Sequence, residues 1–340
     1  MPSPPPTAEA PAGGVRVDAL LGGVIGLAAF TACVGLHTLA VRQVGWIVAG
    51  GIDPSIHLLG WHLFRSGPWA MPPGTTVDMG YPIGTSVALT DSIPLVAVPL
   101  KLLDGILPTP LQYIGPWLLA CFVLQGVFGA LLAARVVPGR AGRLLGAALF
   151  VLAPILSHRL GQAALSAHWL ILAALWLNRR DAGAAAARPA LGAWAAVTVC
   201  AAGTHPYLTA MVLALAGATF GTHARTLMSG VTRVAVPCLI LAALAGITWW
   251  AAGYFIVPES TALQVSGFGR LSMNLLSPFI PREGALTFGH VPLTTAHYDQ
   301  HEGFSYLGLG VGCSWSWPSP GCGRRSPPAP TSGCWRRASA

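Results

Sequence analysis

Seven runs of apolar residues follow one another along the chain, at 17 to 39, 112 to 136, 143 to 157, 165 to 178, 190 to 203, 207 to 221 and 234 to 256. About 20 apolar residues at helical rise cross a hydrocarbon core of about 30 Å. Each run therefore predicts a membrane-spanning helix, the shorter ones drawing on neighbouring loop residues. A further stretch, Ser92 to Pro108, is apolar but interrupted by Pro94, Pro99, Lys101 and Asp104. Prolines and charges at span depth are costly, so it predicts a helix lying along the membrane surface. The expected fold is an all-α polytopic membrane protein of about seven transmembrane helices with a surface helix in its first large loop.

Composition agrees with that pattern. The 340 residues are 54% hydrophobic and 9% charged, with a mean hydropathy of +0.62. Soluble domains carry about 25% charge, so a soluble enzyme is excluded. The net charge of +8 resembles that of a nucleic-acid binder, but the basic residues form no patch. Arg324, Arg325, Arg336 and Arg337 sit in the C-terminal tail, and the others separate apolar runs. No nucleic-acid partner is expected. The seven cysteines contain no CxxC pair, which argues against a disulfide framework or a zinc site.

Positive charge orients the spans, because short cytoplasmic loops are enriched in Lys and Arg. Arg135, Arg140 and Arg143, then Arg179, Arg180 and Arg188, then Arg225 and Arg233 mark three alternate connections as inner. The intervening ones hold only Arg159 near 158 to 164 and no basic residue near 203 to 207. With Arg16 inside, the N-terminus is cytoplasmic and the protein lies in the inner (cytoplasmic) membrane. Segments 41–111 and 257–304 are then the large outer loops. Residues 1–14, rich in Pro, Ala and Gly, are expected to be disordered. The span beginning at Val17 is too long for a signal-peptide core and is expected to stay uncleaved. From Val311 to Ala340 acids vanish and Ser, Pro, Gly, Arg, Trp and Cys dominate, as expected of a low-complexity tail translated out of frame on a truncated copy of something longer.

Chemistry concentrates on the outer side, where loops carry function. Asp53, Asp78, Asp91, Asp104, Glu259, Glu283, Asp299 and Glu302 fall there, as do eight of the ten histidines, whereas the inner loops hold only Asp181. Asp53 follows Gly50 and Gly51 directly after the first span, where a carboxylate can take a proton from a sugar hydroxyl beside a lipid-borne donor. A more ordinary role is also open: if Pro54 begins a helix, Asp53 is its N-cap. His57 and Trp61 share its helix face, and the tryptophans here read as interface anchors. Asp91 reads as an N-cap for the surface helix. Asp78, without such a role, is a candidate for metal or acceptor binding. Arg159, His205 and Arg270 are candidates to hold a lipid phosphate or, more plainly, to anchor at the interface.

These residues carry a resemblance. Gly50 to Trp69, Gly84-Thr85-Ser86, Thr90 to Pro94, Leu124 to Gly129, His205 to Leu208, Ser272 to Leu276 and Gly303 to Gly310 resemble an uncharacterised family of bacterial integral membrane proteins. Its layout is similar to that of GT-C glycosyltransferases, over about residues 15 to 310. The resemblance implies transfer of a hexose or pentose, usually with inversion, from a polyprenyl-phosphate donor to a glycan or lipid acceptor of the cell envelope. Asp53 then matches the first-loop carboxylate, as catalytic base or as ligand, with Asp78, of a divalent cation such as Mg or Mn. Asp78, His57, Arg159, His205 and Arg270 would bind substrate. The chain departs from the GT-C pattern in having no Asp-x-Asp or Asp-Glu pair, and the later spans are missing. Two rivals remain. A lipid or polysaccharide transporter or flippase predicts ionisable residues within the spans and internal repeats, and a non-catalytic envelope assembly protein predicts nothing further.

Overall fold

The computed structural model describes residues 12–82, 84–183, 189–226 and 231–256. These are mostly helical. They form α1 (Ala12–Cys33), α2 (Gly45–Ala49), α3 (Ile52–Ser66), α4 (Pro94–Leu102), α5 (Ile114–Ala133), α6 (Arg140–Val151), α7 (Pro154–His158), α8 (Trp169–Gly183), α9 (Leu191–Ala202), α10 (Pro206–Thr226) and α11 (Thr232–Ala252). Between α3 and α4, Thr75 and Thr76 pair antiparallel with Ser86 and Thr85.

Among the described residues five helical stretches are long and apolar enough to cross a membrane: Gly14–Cys33, Ile114–Ala133, Arg140–His158, Pro206–Ala224 and Thr232–Ala252. Two of the seven expected spans fall short. α8 has 15 residues and α9 has 12, which at helical rise is about 22 and about 18 Å. α8 is short because residues 159–168 turn rather than coil. The apolar run that suggested a span thus begins as irregular chain. Length also excludes a crossing by α4, whose nine residues reach only about 14 Å. The first span ends earlier than expected, where Gly35 takes a left-handed φ of 94°. The third bends at Ala153–Pro154, where proline removes a helical donor.

The connections gather at two ends of the bundle. At one end Gln112 donates from Nε2 to the Thr38 carbonyl at 2.7 Å, and Trp117 Nε1 donates to Ala163 O at 2.8 Å. Leu95 N–H donates to Gly203 O at 2.7 Å, and Gly74 N–H to Ala251 O at 2.8 Å. The 41–111 segment therefore touches the α9–α10 turn and the end of α11, and Trp117 of α5 joins the α7–α8 connection to the same end. At the opposite end Asp18 accepts from Arg140 Nε at 2.7 Å and from Arg143 Nη1 at 2.9 Å. Asp181 accepts from Arg180 at 2.8 Å and from Trp194 Nε1 at 3.2 Å. The connections that charge assigns to the outer side thus meet at one end, and the arginine-rich ones lie at the other.

α5 is central, with α1, α6 and α8 packed against it. Gly22 and Gly26 of α1 face Gly126 and Phe122 of α5 so closely that a Cβ on any of these three glycines would overlap the opposing backbone. Small residues four apart are how membrane helices approach each other. Phe30 and Phe122 add an edge-to-face contact at 6.1 Å. Leu20, Val24, Leu145, Leu149, Leu239 and Ile247 point outward and exposed, as lipid-facing side chains do.

Candidate functional site

The site grows from the start of α3. Gly51, at a left-handed φ of 108°, is the N-cap, and Ile52 opens the helix. Asp53 therefore lies inside the first turn and is not the N-cap that a helix beginning at Pro54 would make it. A carboxylate in the first turn still complements the helix dipole, and Asp53 remains exposed. One turn on, His57 points inward and is buried. Its ring sits 5.7 Å from that of Tyr113.

Asp91 is not a helix cap either. It adopts φ 56° and Ile93 φ 46°, and α4 starts only at Pro94. Two left-handed departures at non-glycine residues on either side of Ser92 are costly, and a surrounding network holds them. Ser92 Oγ donates to His57 O at 2.8 Å and shares a hydrogen bond with Thr90 Oγ1 at 2.9 Å. Tyr113 OH donates to Ser92 O. Burial, and then the charge of Asp53, push the Asp91 carboxyl up to about 7. Tyr113 and, from the end of α11, Tyr254 also lie within electrostatic reach of Asp91. An exposed carboxylate, Asp53, and a half-buried one, Asp91, thus come from separate elements and lie within electrostatic reach of each other.

Beside Asp53 opens a cavity of about 250 Å³ lined by Trp46, Ile47, Gly50, Pro54, His57, Ile114, Leu160, Gly161 and Ala163. Trp46 Nε1 and both ring nitrogens of His57 are buried without a hydrogen-bond partner. Burial pulls His57 down to about 4, and the backbone of Asp91 offsets this only in part.

The other expected residues fall as follows. Arg159 donates to Gln162 Oε1, immediately before the Leu160–Gly161 wall of the cavity. Asp78 is exposed and sits against Gly67 at a different corner, where its charge acts on Lys101. Lys101 lies over Phe64 at 4.3 Å and Trp69 at 4.7 Å and donates to Pro68 O at 3.2 Å. Burial lowers its pKa, against Asp104 and Asp78. His205 precedes α10, where its Nδ1 accepts from Tyr207 N–H at 3.2 Å, and burial pushes it down to about 4. Trp61, expected at the interface, is instead core, donating to Leu111 O at 2.9 Å. Arg270, the 257–304 loop and the 311–340 tail lie outside the described residues.

Sequence reasoning thus found Asp53 and His57 but assigned Asp91 to capping and passed over Trp46. A signal for Asp91 was present: Thr90-Asp91-Ser92 is a polar triplet inside an apolar stretch from Val87 to Leu95. Among the described residues no group of three or more His, Cys, Asp or Glu could hold a metal ion. Asp53 and Asp78 do not build a ligand set there, and no step below passes through a cation.

No curated protein matches the chain and no solved structure does. Residues 23–327 match a family described as a domain of unknown function, DUF6311, and with most of its length matched the chain belongs to that family.

Proposed function

We propose that the protein is a membrane glycosyltransferase of GT-C type, with about seven crossings, that moves a sugar from a polyprenyl-phosphate donor to a glycan or lipid acceptor at the outer face of the bacterial inner membrane. The observation that carries this reading is an exposed carboxylate, Asp53, in the first turn of α3 beside a cavity and within electrostatic reach of the half-buried Asp91. Asp53, exposed in the first turn of α3, is the base. It takes the proton of an acceptor hydroxyl as that oxygen bonds to the anomeric carbon. The bond from that carbon to the phosphate oxygen breaks, and its electron pair leaves with the polyprenyl phosphate. Asp91, pushed up to about 7, lies within electrostatic reach of Asp53. The rest of catalysis is placement at a water–lipid boundary. Arg159 and His205 stand at the same end to meet the phosphate. Arg159 keeps guanidinium N–H groups beyond the one given to Gln162, and His205, whose Nδ1 accepts from the Tyr207 amide, donates from Nε2.

The test is transfer of radiolabelled sugar from polyprenyl-phosphate donors by the intact protein in proteoliposomes. Asp53→Asn is expected to lower transfer at least a hundredfold, the lower range for a general base, while insertion and melting stay those of the wild type. Unchanged transfer would remove Asp53 from the mechanism. Absence of transfer by the wild type across hexose and pentose donors would remove the reading itself.

A further inference from the structure

α3 turns an apolar stripe outward. Its core side, with His57, Leu58, Trp61, Phe64 and Arg65, is buried, while on the opposite side Ile52, Ile56 and Leu59 stand 77%, 42% and 51% exposed. These three fall at i, i+4 and i+7, on one line along the helix. A helix that packs one face on protein and shows the other to water carries polar residues on the second. α3 does not. Of its two ionic side chains, Arg65 turns inward to Asp104 and to the carbonyls of Leu107 and Pro108, and Asp53 stands at the N-terminal end, in the first turn. The serines beside the stripe bond to the helix itself, Ser55 Oγ donating to Gly51 O at 2.7 Å and Ser66 Oγ to His62 O at 2.9 Å. Thr31 Oγ1 does the same to Leu27 O at 2.9 Å within the first span. Such back-bonding satisfies a hydroxyl where water does not.

The depth of α3 says what covers the stripe. Trp61 Nε1 donates to Leu111 O at 2.9 Å, and the His57 ring lies 5.7 Å from that of Tyr113, immediately before the span Ile114–Ala133 opens. The buried side of α3 thus rests on the end of a span, where hydrocarbon gives way to head groups. Its fifteen residues rise about 22 Å, too little for a hydrocarbon core of about 30 Å. It runs along that boundary instead of crossing. The apolar face of a helix so placed sinks about 5–10 Å into the region where head groups meet acyl chains. A protein partner would need a polar rim, and beside the stripe the serine hydroxyls are already engaged.

We propose that α3 lies in the lipid boundary, with Ile52, Ile56 and Leu59 among the acyl chains and Asp53 held at the level of the head groups. This immersion depends on the spans alone, so a protein without transfer activity would retain it.

The test uses bimane on single cysteines, Ile52→Cys, Ile56→Cys and Leu59→Cys, in the cysteine-free full chain reconstituted into proteoliposomes. All three sites are exposed, so the labelled variants should melt as the parent does. Exposed Asp78 and exposed Leu239 of α11, each replaced by cysteine, serve as the water-facing and lipid-facing references. One quencher is lipid brominated on its acyl chains, and the other is iodide on both sides of the vesicle. At 52, 56 and 59 the brominated lipid is expected to quench about as strongly as at 239, and iodide several-fold less than at 78. Iodide quenching equal to that at 78 would place the stripe in water. Quenching by neither would place it under protein, whether a second copy or another segment of the chain. Either result overturns the proposal. Lipid quenching in a protein that transfers no sugar would remove the transferase reading and leave the immersion standing.

Discussion

Asp91 is a half-buried carboxylate within electrostatic reach of Asp53, and its linkage to stability has a definite sign. Its folded pKa, about 7, lies above the ordinary value near 3.9. The folded state therefore binds the extra proton, and stability is lost as pH rises through the window from about 4 to about 7. Asp91→Asn should remove that loss: relative to wild type, its melting temperature should be higher at pH 8 than at pH 5. A difference independent of pH would show that Asp91 is not perturbed. The residue was legible in the sequence only as a polar triplet. Its left-handed backbone is held by α3 and by Tyr113, 22 residues away along the chain, through the hydrogen bonds of Ser92. Asp18 was likewise illegible. It stands at the head of an apolar run, and only the fold shows it buried between Arg140 and Arg143, where a pair that loses one member leaves an uncompensated charge.

At the scale of elements, apolar runs located every described helix of the bundle but not its interruptions. Gly35 and Pro154 break two of them, and the turns at 159–168 shorten α8. These are local backbone events that hydropathy averages away. The contact of α1 with α5 is a matter of shape. Gly22 and Gly26, four apart, are visible as letters, yet which helix they face is set by the packing of Gly126 and Phe122 against them. Gly26→Leu must push the helices apart, because the added carbon falls on the Phe122 backbone. Overpacking of this kind costs about 1–3 kcal/mol or more. Thermal unfolding of the purified variant should show a lower midpoint, whereas Gly192→Leu, in open space, should leave it near wild type. Equal midpoints would mean that α1 and α5 do not meet through these glycines.

Across the whole molecule, the sidedness does not depend on whether α8 and α9 fully cross. They enter and leave as a pair, so counts of five and seven place α10 and α11 alike. The hydrogen bonds group the connections as charge does: the loop of Asp53 meets the α9–α10 turn and the end of α11, Trp117 of α5 meets the α7–α8 connection, and Asp18 meets the arginines at the other end. The function proposed requires that the first of these ends be the outer one. The direct measurement is labelling of a single cysteine at residue 53, in a cysteine-free background, by a membrane-impermeant thiol reagent added to intact cells. Labelling from outside, with a cysteine at Arg140 labelled only after the membrane is opened, is the expected result. The reverse pattern would put the carboxylates in the cytosol and contradict transfer at the outer face.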